Sequence, residues 1–130
     1  MKVCGLWQGT HRLAAAIANG DATLRPPITT PATPTHTRYL LDYLVTASID
    51  ILILTEHNHY LIAQAHAHQF HVRLVPHDLL QGIRHATALN HRPPRHTAIL
   101  LARWPFTPAL RLLLREARPT QLQKKQLALF

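Results

Sequence analysis

Asp50-Ile51-Leu52-Ile53-Leu54-Thr55 is a run of bulky apolar residues with polar ends. Strand side chains point alternately to two faces, so an unbroken apolar run means that both faces are covered. That is the place of a central strand in an α/β sheet. Upstream, Tyr39, Leu40, Tyr43, Leu44 and Ala47 fall at i, i+1, i+4, i+5 and i+8, which predicts a helix from Thr37 with these residues inward. Downstream, residues 58–69 read as a second helix, with Tyr60, Ala63 and Ala67 inward. Residues 71–75 (HVRLV) then read as another strand, closed by Pro76. Strand, helix and strand in this order form a βαβ unit, whose strands run parallel.

The chain before this unit reads as a meander. Residues 2–8 (KVCGLWQ) form a first strand, Gly9-Thr10 a turn, and residues 11–18 (HRLAAAIA) a second strand ended by Asn19-Gly20-Asp21. Residues 22–28 (ATLRPPI) are a candidate third strand, which Pro26 and Pro27 end or confine to an edge. Residues 29–35 (TTPATPT) look linker-like, too rich in proline for a regular element. After the βαβ unit come a helix over 78–88 with Asp78 near its start, a loop from Asn90 to Pro94, and a helix over 95–104. Thr107 and Pro108 are suited to the N-cap and first position of a last helix. Its faces would be Leu110, Leu113, Leu114 and Ala117 on one side and Arg111, Arg115 and Arg118 on the other, with Pro119 ending it before a tail. The predicted fold is α/β: a mixed sheet with a three-strand antiparallel start, then βαβ, helices on both faces and C-terminal helices. This is the element order of the ribonuclease H-like fold. Residues 1–104 would be the α/β domain, and 105–130 a basic amphipathic helix and tail packed on it.

The bulk composition allows one globular domain. The chain has 130 residues, 47% hydrophobic and 15% charged, far from a disordered composition. Its single cysteine, Cys4, excludes an internal disulfide and reads as a small buried hydrophobe. A lone thiol, no apolar stretch of signal-peptide length after Met1-Lys2-Val3, and no window long enough for a membrane span lead to an expected cytoplasmic protein. The net charge of +8 is unevenly placed. Residues 1–83 hold five Lys or Arg against five Asp or Glu. Residues 84–130 hold nine against one: Arg84, Arg92, Arg95, Arg103, Arg111, Arg115, Arg118, Lys124 and Lys125 against Glu116. A neutral body with a cationic end fits a polyanion, above all nucleic acid. An acidic protein, an anionic membrane surface, or a basic tail that only solubilises are the other readings of the same charge.

Several stretches together resemble the N-terminal RuvC-like domain of IS110-type transposases. Cys4-Gly5-Leu6-Trp7 followed by Leu13-Ala14-Ala15-Ala16-Ile17 is similar to that family's opening strand and its return. Leu52-Ile53-Leu54-Thr55-Glu56-His57-Asn58-His59-Tyr60 is similar to its strand ending in Glu and followed by a Gly-Gly-Tyr turn. Phe70 to Pro76 is similar to its next strand, which ends in Val-Asn-Pro, and Arg95 to Trp104 resembles the helix after its Lys-Thr-Asp-Arg-Ile-Asp-Ala motif. No single motif is decisive; order and spacing carry the resemblance, over about 100 residues. The resemblance implies a ribonuclease H-like fold and a mobile-element setting. The family's catalytic centre uses four carboxylates around divalent metal ions, as hard ions such as Mg²⁺ require. Here Trp7 stands at the strand-one position, Glu56 is the only remnant, and residues 91–97 (HRPPRHT) carry no acid. The family's second half would have no counterpart before Phe130. The resemblance therefore implies an inactive scaffold that keeps nucleic-acid binding, needing no Mg²⁺ or other cofactor.

Other candidate chemistry is weaker. Eleven histidines invite a metal site, with His57, His59 and His66 as the candidates. His59 and His66 share a helix face, but two turns separate them by ~10.5 Å, too far for one ion without further ligands. Partly exposed histidines would instead add charge below about pH 6.5 and tighten a polyanion contact. Glu56 follows a buried strand, where it could serve as a lone general base or be a salt-bridged leftover. The arginine stripe could follow phosphates, face solvent, or lie on an anionic membrane, although its leucines are needed for docking. Two rivals to the binding reading remain: a protein-interaction module or homodimer on a pseudo-nuclease scaffold, and an active metal-dependent nuclease that uses Mg²⁺.

Overall fold

The computed structural model describes residues 1–20 and 24–116. Six strands form one mixed sheet: β1 (Val3–Gln8), β2 (Arg12–Ala18), β3 (Ile28–Pro31), β4 (Ile51–Thr55), β5 (Val72–Val75) and β6 (Arg115–Glu116). Their spatial order is β3-β2-β1-β4-β5-β6. β1 pairs antiparallel with β2 from Val3↔Ala18 to Gln8↔Leu13, and β2 pairs antiparallel with β3. β1 and β4 are parallel, as are β4 and β5, so the carboxyl ends of these three strands share one edge. The helices are α1 (Pro34–Thr46), α2 (His59–Ala67), α3 (His77–Ala86), α4 (Pro94–Arg103) and a single turn, α5 (Pro108–Arg111). Among the described residues, no helix is long and apolar enough to cross a membrane.

Strand alternation builds two cores. Cys4, Leu6, Leu13, Ile17, Leu52 and Leu54 point to one face, where Leu41, Leu44, Leu61 and Ile62 of α1 and α2 cover them. Val3, Trp7, Ala14, Ala16, Ile53 and Val75 point to the other, against Leu80 of α3, Ala98 and Leu101 of α4, and Trp104. Small residues set the second spacing. α4 lies so close to β1 that a Cβ on Gly5 would collide with the backbone of Ala98 and Ala102. Gly5 is required there by this close approach. Cys4 is fully buried, and burial pushes its thiol far above the usual range, so it packs as a hydrophobe.

The order and position of the main elements follow the expected pattern, with four corrections. The third strand is Ile28–Pro31, inside the stretch read as linker, while Leu24 makes only an isolated bridge to Ala18. An edge strand needs ladder partners on one side only, so proline at its end is tolerated. α1 begins at Pro34, because the Thr33 hydroxyl accepts the His36 N–H at 3.2 Å and Pro34 occupies the first turn. Its buried face is Thr37, Leu40, Leu41 and Leu44, while Tyr39 and Tyr43 are exposed. In α2, likewise, Leu61, Ile62 and Ala65 are buried and Tyr60 is exposed. Two stripes at helical spacing compete in each helix, and the one that carries the leucines and isoleucine takes the core.

The fourth correction concerns the last helix. It stops at Arg111 after one turn, and Arg115–Glu116 instead extends the sheet beside β5. Thr107 precedes the turn but gives no side-chain cap; its hydroxyl donates to the Arg103 carbonyl at 3.5 Å. The open edge of β5 offers ladder groups that a longer helix would leave unpaired, and the chain satisfies them. The Arg111/Arg115/Arg118 stripe therefore does not form: Arg111 is helical, Arg115 is in a strand, and Arg118 lies outside the described residues, as do Ala117, Pro119 and the tail.

Candidate functional site

The shared carboxyl edge gathers residues from the ends of three parallel strands. β1 delivers Trp7 and Gln8, the turn after β4 delivers Glu56, His57 and Asn58, and the start of α3 delivers His77. The ring centroids of His57 and His77 are 4.0 Å apart, and that of Trp7 is 6.1 Å from His57. The Arg84 guanidinium lies 4.5 Å above the Trp7 ring, a cation–π contact. Its Nη1 donates to Gln81 Oε1 at 3.2 Å. Asn58 ties two strand ends together: its Nδ2 donates to Gln8 Oε1 at 3.1 Å, while its Oδ1 accepts the Leu61 N–H and caps α2.

Two hollows open on either side of this Gln8–Asn58 link. One, of about 440 Å³, is lined by Trp7, Thr10, Gln81, Arg84, Arg92 and Pro94. The other, of about 480 Å³, is lined by Ala32, Thr33, Pro34, Asn58 and Tyr60. Gln8, Gly9 and His57 line both, so the hollows are neighbouring lobes along one edge, with these residues between them. The amino ends of α1 and α2 face the second lobe through Thr33, Pro34 and Asn58, adding positive field.

Glu56 is the acid at this edge, and both its oxygens are engaged. Oε1 accepts the His77 N–H at 3.2 Å, and Oε2 accepts from Arg115 Nη1 at 2.8 Å. The ion pair with Arg115 is partly exposed, and such pairs contribute little stability, at most ~1 kcal/mol. Its interest is positional, since it ties the last described strand to the cleft rim. In contrast, Arg84 Nε and His77 Nδ1 are buried with no hydrogen-bond partner among the described residues. Burial lowers the pKa of Arg84. Burial, then repulsion from His77 and His59, lowers that of His57 against an opposing pull from Glu56. The cleft is short of negative charge. Among the described residues, no three His, Cys, Asp or Glu side chains group as metal ligands. His57 lines the cleft, His59 is exposed, and His66 lies on α2, so the three do not converge on one point.

Among the described residues, the C-terminal cations do not form one surface. Arg84 and Arg92 line the cleft. Arg95 and Arg103 are exposed on α4. Arg111 borders a separate hollow with Met1, Ile51 and Arg73, at the amino ends of β1 and β4 and so at the opposite edge of the sheet. Arg115 is paired with Glu56, and Arg118, Lys124 and Lys125 lie outside the described residues. Sequence reading missed Gln8, Asn58 and Tyr60 as cleft residues, and His77 beside them. Three of them, Gln8, Asn58 and His77, end or closely follow a strand that leads into this edge, and that was the available signal.

His57 and His66 both titrate below the ordinary histidine value, burial being the main cause, and His66 Nε2 is buried without a partner among the described residues. A histidine with a lowered native pKa binds its proton more tightly in the unfolded chain. Its contribution is present above about pH 6.5 and is lost as pH falls toward the native pKa. Thermal melts should therefore show Tm falling between about pH 7.5 and about pH 5, and His66→Gln should flatten that fall. An unchanged slope in His66→Gln would assign the acid sensitivity elsewhere.

The chain matches no family model, and no curated protein matches it.

Proposed function

We propose that this chain is a ribonuclease H-like domain, similar to the RuvC-like domain of IS110-type transposases, that binds nucleic acid without cutting it. The fold reading is supported by an antiparallel β3-β2-β1 start that continues in parallel into β4 and β5. One observation carries the functional reading. At the carboxyl edge, where the resemblance implies an acid on the first strand, Trp7 stands under Arg84, and Glu56 is already held by Arg115 and the His77 N–H. An edge built with cations and few acids suits a phosphate backbone better than a pair of hydrated divalent ions. Arg84 and Arg92 are the central contacts, with Arg95, on the first turn of α4 beside Pro94, as an outer phosphate contact; Arg103, at the other end of α4, lies toward the opposite edge. Arg111, Lys124 and Lys125 belong to the proposed basic surface only in the broader sense of net charge.

Fluorescence anisotropy with labelled single-stranded DNA, duplex DNA and structured RNA tests this. Micromolar or tighter binding is expected, falling steeply between about 50 and about 200 mM salt, with no cleavage in Mg²⁺. Arg84→Ala with Arg92→Ala should weaken it about tenfold or more. No binding at the lower salt rejects the reading. Metal-dependent cleavage that Glu56→Ala abolishes would replace it with an active nuclease.

A protein-interaction module is the second reading, and one feature favours it. Tyr39 and Tyr43 are exposed on α1 beside a hollow of about 390 Å³ that they share with Ile28 and Leu40. A salt-tolerant, stoichiometric protein complex or homodimer would be its signature.

A further inference from the structure

We propose that the two-lobed cleft holds the phosphorylated end of a single nucleic-acid strand, with the terminal phosphate monoester between Arg84 and Arg92 and the adjoining base beside Tyr60. This rests on the nucleic-acid reading and names which part of the ligand the carboxyl edge recognises.

The cationic lobe supplies the chemistry for the phosphate. Arg84 and Arg92 line it together with His57, and no acid lines it. The acid next to His57 in sequence, Glu56, is occupied by Arg115 and the His77 N–H. Arg84 has one bond to Gln81 and a buried Nε with no partner among the described residues. Two guanidinium groups with spare N–H donors match a monoester, which carries three terminal oxygens and nearly two charges. An internal diester offers two such oxygens and one charge. Trp7 is nearly buried and already covered by Arg84, so its ring is a wall of the lobe and not a stacking platform.

The division of charge between the two lobes places the end of the strand in the cationic one. The cationic lobe is bounded by the β1–β2 turn at Gly9 and Thr10, by Gln81 and Arg84 of α3, and by Pro94 at the start of α4. It adjoins the second lobe across Gln8, Gly9 and His57. That second lobe carries no formal charge apart from the shared His57. It offers the exposed Tyr60 ring, with Asn58 and Thr33 as hydrogen-bonding groups. An aromatic face takes any base by stacking, and neutral donors and acceptors suit a sugar and base edge. A strand that enters over Tyr60 reaches the arginines with its terminus.

The test compares one internally labelled single-stranded oligonucleotide in three forms: 5′-phosphorylated, 3′-phosphorylated, and hydroxyl at both ends. One phosphorylated form should bind about tenfold tighter than the hydroxyl form, and which one it is gives the strand direction. Arg92→Gln, at an exposed position away from the Trp7–Arg84 contact, should weaken the preferred phosphorylated form far more than the hydroxyl form, so that the three forms converge on one affinity. Tyr60→Ala should weaken all three forms together. Equal affinity for the three forms overturns the proposal and leaves the nucleic-acid reading in place. Failure of all three to bind overturns the proposal, and the nucleic-acid reading falls with it only if duplex DNA and structured RNA also fail to bind.

Discussion

Gly5→Ala should destabilise the domain by about 3 kcal/mol or more, a large share of the ~5–15 kcal/mol that holds an ordinary domain together. The added methyl group would collide with the Ala102 nitrogen and the Ala98 carbonyl oxygen and stand 2.7 Å from Leu101 Cβ. The first two are helix backbone atoms, so no rotamer change relieves the clash and α4 must move as a body. Moving it opens the contacts that Leu101, Ala102 and Trp104 make with Ala14, Ala16 and Ile53. Urea denaturation with an unchanged slope reads the loss directly. A loss under about 1 kcal/mol would mean that α4 does not rest on β1 as described.

Trp104→Ala is the second large effect, about 3–5 kcal/mol. Trp104 is the largest fully buried side chain, and its Nε1–H donates to the Leu110 carbonyl at 2.8 Å. The ring fills the core under α4, and the hydrogen bond fastens the segment carrying α5 to that core. Trp104→Phe separates the two roles. It keeps most of the buried ring and should cost less than the alanine variant, with about 1 kcal/mol of its loss from the missing bond. If both variants unfold at the same denaturant concentration, the bond and not the ring volume is the main contribution.

Both sites lie in parts of the chain whose sequence was easy to read as structure and hard to read as packing. The strands at 3–8 and 51–55 announce themselves because they are covered on both faces, and burial leaves an unbroken apolar run. The helices were visible by period, but their faces were not. Tyr39 and Leu40 both sit on helical stripes, and only the sheet beneath decides that Leu40 goes in. The terminal helix was misread for a similar reason, since the free edge of β5 is a tertiary fact that no local spacing reveals.

The cleft was the least legible part. Its defining bonds join residues far apart in the chain: Asn58 to Gln8 across 50 positions, and Arg115 to Glu56 across 59. Charge counting found the arginines, yet it placed them on one imagined face. The fold sends Arg84 and Arg92 to one edge of the sheet and Arg111 to the other. The resemblance implies an acid where Trp7 stands, but the arginine over that ring is not legible in the sequence, because the Arg84 contact spans 77 positions.

The division of the core between two faces also has a consequence for how the protein is made. The face under α1 and α2 has all its described residues once Leu74 has been synthesised. The opposite face has none of its α4 cover until Ala98, Leu101, Ala102 and Trp104 have followed. Translation proceeds at roughly 5–20 residues per second, so for a second or more each nascent chain carries a finished layer backed by a bare, alanine-lined sheet. In that interval the molecule is most exposed to mispairing with its neighbours on the same message. Two short residues, Gly5 and Ala16, keep open the berth that α4 will take.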